Sequence, residues 1–212
     1  MARLSIISEP GRIVTRVTGG NRSVLIIHGY GGSAAEMLPL AHGLAIQGTS
    51  SVAIDLPGHG DNNEIFTYDG CRQAIISELA VREMPIAVIG HSLGARLALL
   101  YDKPVVCLSP PLALDFGRGR SQLLRILRAR RVREESPFSG LRDVLEALPE
   151  VSFAAPGVIY YAADDLATVK DFAERGYEAG VASIRVEGAN HLDIVSAPEV
   201  SAGVATWLKG LK

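Results

Sequence analysis

The sequence predicts an α/β protein with a mostly parallel central sheet, helices on both faces and a short helical lid. Short aliphatic runs recur at Val24–Ile27, Ser51–Asp55, Ile86–Ile89, Val105–Leu108, Val158–Tyr161 and Ser183–Val186. Continuous apolar runs of this length suit strands buried on both sides. Stretches with helical periodicity alternate with them at Ala34–Gln47, Cys71–Glu83, Leu93–Tyr101, Val169–Ala179 and Pro198–Lys209. Strand–helix alternation of this kind builds a doubly wound sheet. The composition agrees: 48% of residues are hydrophobic and 22 of 212 are glycine, enough for one core joined by glycine turns.

Leu4–Ile7 and Ile13–Val17 flank Glu9-Pro10-Gly11-Arg12, whose Pro-Gly marks a turn, so the chain should open with a hairpin. The last helix carries Pro198 in its first turn, where a missing N–H is harmless, with Ser196 as a candidate cap. One segment breaks the alternation. Between Leu108 and Gly157 lie two helical patterns, Ser121–Arg131 and Ser139–Leu148, the second with Ser139 as its expected cap. We read residues 1–212 as one domain with a small lid inserted at about residues 112–150, over the carboxyl edge of the sheet.

Charge and cysteine usage narrow the class. A formal charge of −2 gives no reason to expect a nucleic-acid partner. Cys71 and Cys107 have no metal or redox spacing, and Cys107 sits in an apolar run, so a reducing cytoplasm is expected. The apolar stretch near Met1 is too short for a signal peptide. No later run is long enough to span a bilayer, so no stable membrane insertion is expected. Arg118–Arg133 holds seven arginines around Leu123, Leu124, Ile126 and Leu127. It suits an anionic substrate tail or an acidic membrane surface. A solvated lid helix with an apolar stripe packed on the body is the favoured reading, since charge runs usually face water.

The chemistry begins at Gly90-His91-Ser92-Leu93-Gly94, between an aliphatic strand and a helical pattern. G-x-S-x-G at a strand-to-helix turn lifts a serine hydroxyl to the apex, with glycines where a Cβ would clash. Serine needs a base, itself oriented by an acid. His191, in Gly188-Ala189-Asn190-His191-Leu192, follows the last strand and precedes the last helix, in the required chain order. The acid should follow Val158–Tyr161, where both Asp164 and Asp165 stand. Asp165 is slightly favoured as farther into the loop, and the other carboxylate is then a candidate cap for the next helix, starting near Thr168. The backbone N–H groups of Leu93 and of Tyr30, in His28-Gly29-Tyr30-Gly31-Gly32, are the expected oxyanion donors. His28 reads as a pin for that loop.

Together with Asp55-Leu56-Pro57-Gly58-His59-Gly60, these pieces resemble the α/β-hydrolase fold superfamily over nearly the whole chain. The resemblance implies a serine hydrolase that cleaves carboxylic esters, or thioesters, of small to medium acyl groups through an acyl-enzyme. It implies no metal and no organic cofactor. It also implies that His59 is loop architecture. Relatives that open epoxides or displace halides carry aspartate at the elbow, which Ser92 argues against. A peptidase, an acyltransferase and a non-catalytic ligand-binding protein are the alternatives. One departure stands out: Ala162-Ala163 occupies a place where such proteins often have glycine, which leaves the register of the acid loop open.

Overall fold

The computed structural model describes residues 3–9, 12–81, 85–112, 132–136 and 138–211. Strands β1 (Arg3–Glu9) and β2 (Arg12–Thr18) form the opening hairpin, with Glu9 opposite Arg12. There follow β3 (Arg22–Ile27), a 3-10 turn (Ala34–Met37), α1 (Leu38–Ile46), β4 (Thr49–Ile54) and α2 (Tyr68–Leu79). Next come β5 (Ala87–His91), α3 (Leu93–Ala98), β6 (Val105–Leu108) and α4 (Ser139–Ala147). The chain continues through β7 (Gly157–Asp164), α5 (Ala167–Glu178), β8 (Ala182–Asn190) and α6 (Pro198–Gly210). The described strands form one eight-stranded sheet in the order β1-β2-β4-β3-β5-β6-β7-β8. The hairpin lies antiparallel on β4, and β4 through β8 are parallel.

Alternation along each strand sends side chains to two cores. On β3, Val24 and Ile26 join Leu40 and Leu44 of α1 and Val204 and Leu208 of α6. Leu25 and Ile27 face the other way, with Ile75 of α2, Leu97 of α3, Val144 of α4 and Phe172 of α5. All four β3 side chains are fully buried, each contributing about 1.5–3 kcal/mol. Among the described residues no helix is long and apolar enough to cross a membrane.

Several boundaries differ from the sequence reading, each for a local reason. The helix expected from Cys71 begins at Tyr68, because Thr67 caps it by accepting from the Gly70 N–H at 3.1 Å. The first helical stretch opens as a 3-10 turn and becomes α-helical with Pro39 in its first turn. The helix after the elbow is shorter than expected: Leu100 and Tyr101 donate to Leu97 and Ala98, three residues back, which tightens the last turn. Ser139 is the first residue of α4 rather than its cap. Phe138 holds the cap position at φ 65°, while the Ser139 hydroxyl bonds back to Ser136. Ala197, not Ser196, precedes α6. Leu166 precedes α5 and no side chain caps it, so neither aspartate has the capping place expected near Thr168. Strands β7 and β8 outrun their aliphatic cores and stay paired up to Asp164 opposite Asn190, across an irregularity between Ala162 and Asp164. The helical pattern Ser121–Arg131, with most of the arginine-rich segment, lies outside the described residues.

The insertion leaves and rejoins the body at one buried cation. Arg96 of α3 donates to the carbonyls of Pro111 at 3.1 Å, Leu112 at 2.9 Å and Pro149 at 3.1 Å, and lies over the Phe172 ring. Its side chain therefore holds together the two roots of the segment between β6 and β7. Replacing Arg96 by Met should deprive those three carbonyls of this donor. Urea unfolding should show a loss of about 2–4 kcal/mol; an unchanged midpoint would refute the clamp.

Candidate active site

The elbow is built by two close approaches. A Cβ on Gly90 would lie 2.3 Å from the Gly94 carbonyl, and one on Gly94 would lie 2.4 Å from the Ile27 carbonyl oxygen. Only bare Cα positions let α3 turn back this tightly over β5 and β3. Ser92, between them, has φ 52° and ψ −118°, a strained conformation for a residue with a side chain. Its N–H donates to the Leu108 carbonyl at 2.8 Å, which ties the apex to β6.

The structure brings three of the expected residues together. Ser92 Oγ lies 3.1 Å from His191 Nε2, and His191 Nδ1 lies 2.7 Å from Asp165 Oδ1. The Asp165 side chain is fully buried and that of His191 is 13% exposed. A carboxylate can only accept, so Nδ1 carries the imidazole proton and Nε2 presents its lone pair to the serine hydroxyl. Asp164 ends β7, is exposed, and takes no part in this chain of bonds. Asp164 is still in β7, paired with Asn190, whereas Asp165 stands just past the strand end, where its Oδ1 meets His191 and also accepts from the Leu166 N–H at 2.9 Å. Ala162, one of the two alanines near the strand end, donates its N–H to Asp165 Oδ2 at 3.0 Å.

Burial alone would raise the Asp165 pKa. The hydrogen bond and charge of His191, the hydroxyl of Ser109 and the Ala162 amide outweigh it and hold the carboxyl below its ordinary value. Ser109 escaped the sequence reading. It follows β6 at φ 48°, is fully buried, and donates its hydroxyl to Asp165 Oδ2. Its one sequence signal is its place, immediately after an aliphatic run that ends at the carboxyl edge. Among the described residues three non-glycines have positive φ, and two of them, Ser92 and Ser109, flank this site.

The loop expected to supply an oxyanion donor lies against the serine: a Cβ on Gly29 would come 3.0 Å from Ser92 Cβ. The Gly32 N–H closes a turn onto the Gly29 carbonyl at 3.0 Å, with Gly31 at φ 72°. Leu93 opens α3, so its amide is one of the first-turn donors that a helix leaves without an intrahelical partner. His28 pins the loop, as expected: Nδ1 donates to the Gly29 carbonyl and Nε2 accepts from the Leu56 N–H at 3.1 Å. The Tyr30 ring packs among His59, Phe66 and Phe138, and its hydroxyl bonds Glu134. Glu134, also missed in the sequence, accepts from the Leu141 N–H of α4 at 3.2 Å and so links this loop to the insertion. His59 donates Nδ1–H to the Pro57 carbonyl at 2.8 Å and stacks edge-on against Phe66. Burial and the neighbouring His28 push its pKa down to about 3. Among the described residues no three His, Cys, Asp or Glu side chains converge as a metal site.

Comparison with known proteins adds to this geometry. Residues 24–152 match the profile described as the Alpha/beta hydrolase family. A dihydrolipoyllysine-residue acetyltransferase component of the acetoin cleaving system from Cupriavidus necator is 34% identical over 116 residues, 49% of this chain and 29% of that protein. A 2-succinyl-6-hydroxy-2,4-cyclohexadiene-1-carboxylate synthase from Photorhabdus laumondii is 38% identical over 76 residues, 34% of this chain and 27% of that one. The matched part thus spans under a third of the length of these curated relatives. Among solved structures, the thioesterase domain from the curacin biosynthetic pathway superposes with TM-score 0.65 at 15% identity, covering 99% of both chains. Potato (Solanum tuberosum) epoxide hydrolase I gives 0.68 at 16%, also covering 99% of both. A bacterial membrane phospholipase A gives 0.70 at 18%, covering 99% of this chain and 86% of the other.

Two measurements test the site. Asp165→Asn should lower turnover by about 10³- to 10⁴-fold, while Asp164→Asn should stay close to wild type. The reverse order in kcat would move the acid to Asp164. For His59, the folded protein keeps the ring neutral down to about pH 3, whereas the unfolded chain protonates near 6.5. Stability should therefore fall as pH drops from 6.5 towards 3, and His59→Asn, which keeps a donor for Pro57, should flatten that slope. Equal slopes in urea titrations at several pH values would refute this assignment.

Proposed function

Because this chain belongs to the alpha/beta hydrolase family, we propose that it is a serine hydrolase that cleaves carboxylic esters or thioesters of small to medium acyl groups. The observation that carries the reading is the unbroken Ser92–His191–Asp165 hydrogen-bond chain at a strained elbow. His191 Nε2 takes the hydroxyl proton as Ser92 Oγ attacks the substrate carbonyl. The tetrahedral oxyanion rests on the amides of Leu93 and Tyr30. Protonated His191, its charge balanced by Asp165, then delivers the proton to the departing oxygen or sulfur, leaving an acyl-serine. Water, deprotonated by the same imidazole, attacks that ester and releases the acid and the free serine.

The fold is shared with epoxide hydrolases, but at 16% identity that likeness speaks for the fold alone. A serine at the elbow suits acyl transfer. A second reading is acyl transfer to an acceptor other than water, favoured by the 116-residue match to an acetyltransferase component. The insertion at residues 112–150 is the proposed lid. Its tie to Tyr30 through Glu134 supports a role in shaping the acyl pocket. A cytoplasmic setting fits two buried cysteines that form no disulfide. The proposed partner is a small-molecule substrate alone, with no nucleic acid.

Wild type should label with a fluorophosphonate probe and hydrolyse p-nitrophenyl acetate and butyrate, while Ser92→Ala should lose labelling and about 10⁴-fold or more in turnover. Wild-type protein that neither labels nor turns over would refute the hydrolase reading. Equal labelling of both proteins would refute Ser92 as nucleophile. Acyl-CoA thioesters of graded length, assayed with and without an added alcohol or amine acceptor, separate hydrolysis from acyl transfer.

A further inference from the structure

The second residue of the elbow has a place that the mechanism above does not use. His91 is 6% exposed, and its Nε2 lies 2.8 Å from the backbone carbonyl oxygen of His191, a hundred residues away. A carbonyl oxygen can only accept, so Nε2 bears the proton. The opposite edge of the ring rests on the donor loop, where a Cβ on Gly29 would lie 3.1 Å from His91 Nδ1. The two imidazoles lie side by side, their centroids 5.3 Å apart at 45°. One ring is thus wedged between the loop of Tyr30 and the backbone of His191, on a residue adjacent to Ser92.

The other bonds of the His191 loop do a different job. Asn190 donates its N–H to Asp193 Oδ1 at 2.6 Å, and its own Oδ1 accepts from the Leu192 N–H at 2.9 Å. These set the local shape of the turn without reaching the elbow. The imidazole's own bond to Ser92 must break and re-form in each turnover, so it cannot serve as a fixed spacer. The His91 bond to a main-chain carbonyl can persist throughout.

We propose that His91 is a positioning residue: its Nε2–H bond to the His191 carbonyl, with its ring against Gly29, sets the spacing between the base and the donor loop. The inference rests on the triad reading above. A displacement of the base by about 1 Å is enough to cost about 10²-fold in rate, so the spacer acts on kcat and leaves substrate binding alone.

Glutamine carries an N–H four bonds from Cα, as Nε2 of histidine does. Phenylalanine keeps a ring but has no donor, and asparagine falls one bond short. His91→Phe and His91→Asn should lower kcat and the rate of fluorophosphonate labelling by about 10- to 100-fold, with KM within about twofold of wild type. His91→Gln should recover most of that loss. Spectra of ¹⁵N-histidine-labelled wild type should show His91 as the Nε2–H tautomer and His191 as Nδ1–H, and the His191 ring signals should move in the Phe and Asn variants but not in the Gln variant. Finding His91 as the Nδ1–H tautomer overturns the proposal without any variant. So does an unmoved His191 signal with wild-type kcat in either the Phe or the Asn variant, provided it folds, or equal loss in all three. If wild type itself neither labels nor turns over, the hydrolase reading fails. The ring spectra then still decide whether His91 holds His191.

Discussion

Two bare Cα atoms, at Gly90 and Gly94, let α3 fold back onto β5 until its backbone touches the carbonyls of Ile27 and His28. That approach forces Ser92 to φ 52° and lifts its hydroxyl clear of the sheet. A strained residue persists only where its surroundings over-determine it. Here the buried aliphatic strands β3, β5 and β6, the bond from Ser92 N–H to Leu108, and the packing of Leu97 on the second core supply that rigidity. The rest of the site is arranged around the resulting point: Gly29 against Ser92 Cβ, His191 against Ser92 Oγ.

The buried charge behind His191 shows how a carboxylate can be kept ionised inside a protein. Asp165 has a fully buried side chain, so isolation there would favour its neutral form. It accepts instead from His191, from Ser109, and from the amides of Ala162 and Leu166. Each donor comes from a different piece of the carboxyl edge: the base loop, the end of β6, the end of β7 and the entry to α5. The ionised carboxylate is thus satisfied only when the whole edge is assembled. This couples the orientation of His191 to the integrity of the parallel sheet.

Most of the architecture could be read from periodicity, because buried parallel strands write themselves as aliphatic runs. Errors cluster where a strand or helix end is set by something other than apolarity. Thr67 starts α2 three residues ahead of its first buried side chain. Strand β8 is a sheet edge rich in exposed residues, so its pairing with β7 outlasts its apolar core. In the site, Ser92 and His191 stood out because motif and chain order constrain them. Ser109, Glu134 and His91 did not, since a serine after a strand, a glutamate in an insertion and a histidine inside an elbow each have ordinary explanations.

The fold class, the family's set of loops, the serine at the elbow and the histidine that faces it are all legible in the amino-acid order. These depend on local patterns: aliphatic runs, glycines at fixed offsets and the order of loops along one sheet edge. Which aspartate meets His191 depends on the fold: Asp164 is the exposed last residue of β7, whereas Asp165, one residue past the strand, has a buried carboxylate 2.7 Å from His191 Nδ1. The fold also sets what surrounds Ser92, His191 and Asp165. Bonds from Ser109, His91 and Arg96 cross 56, 100 and up to 53 residues of chain, separations over which no periodicity carries information.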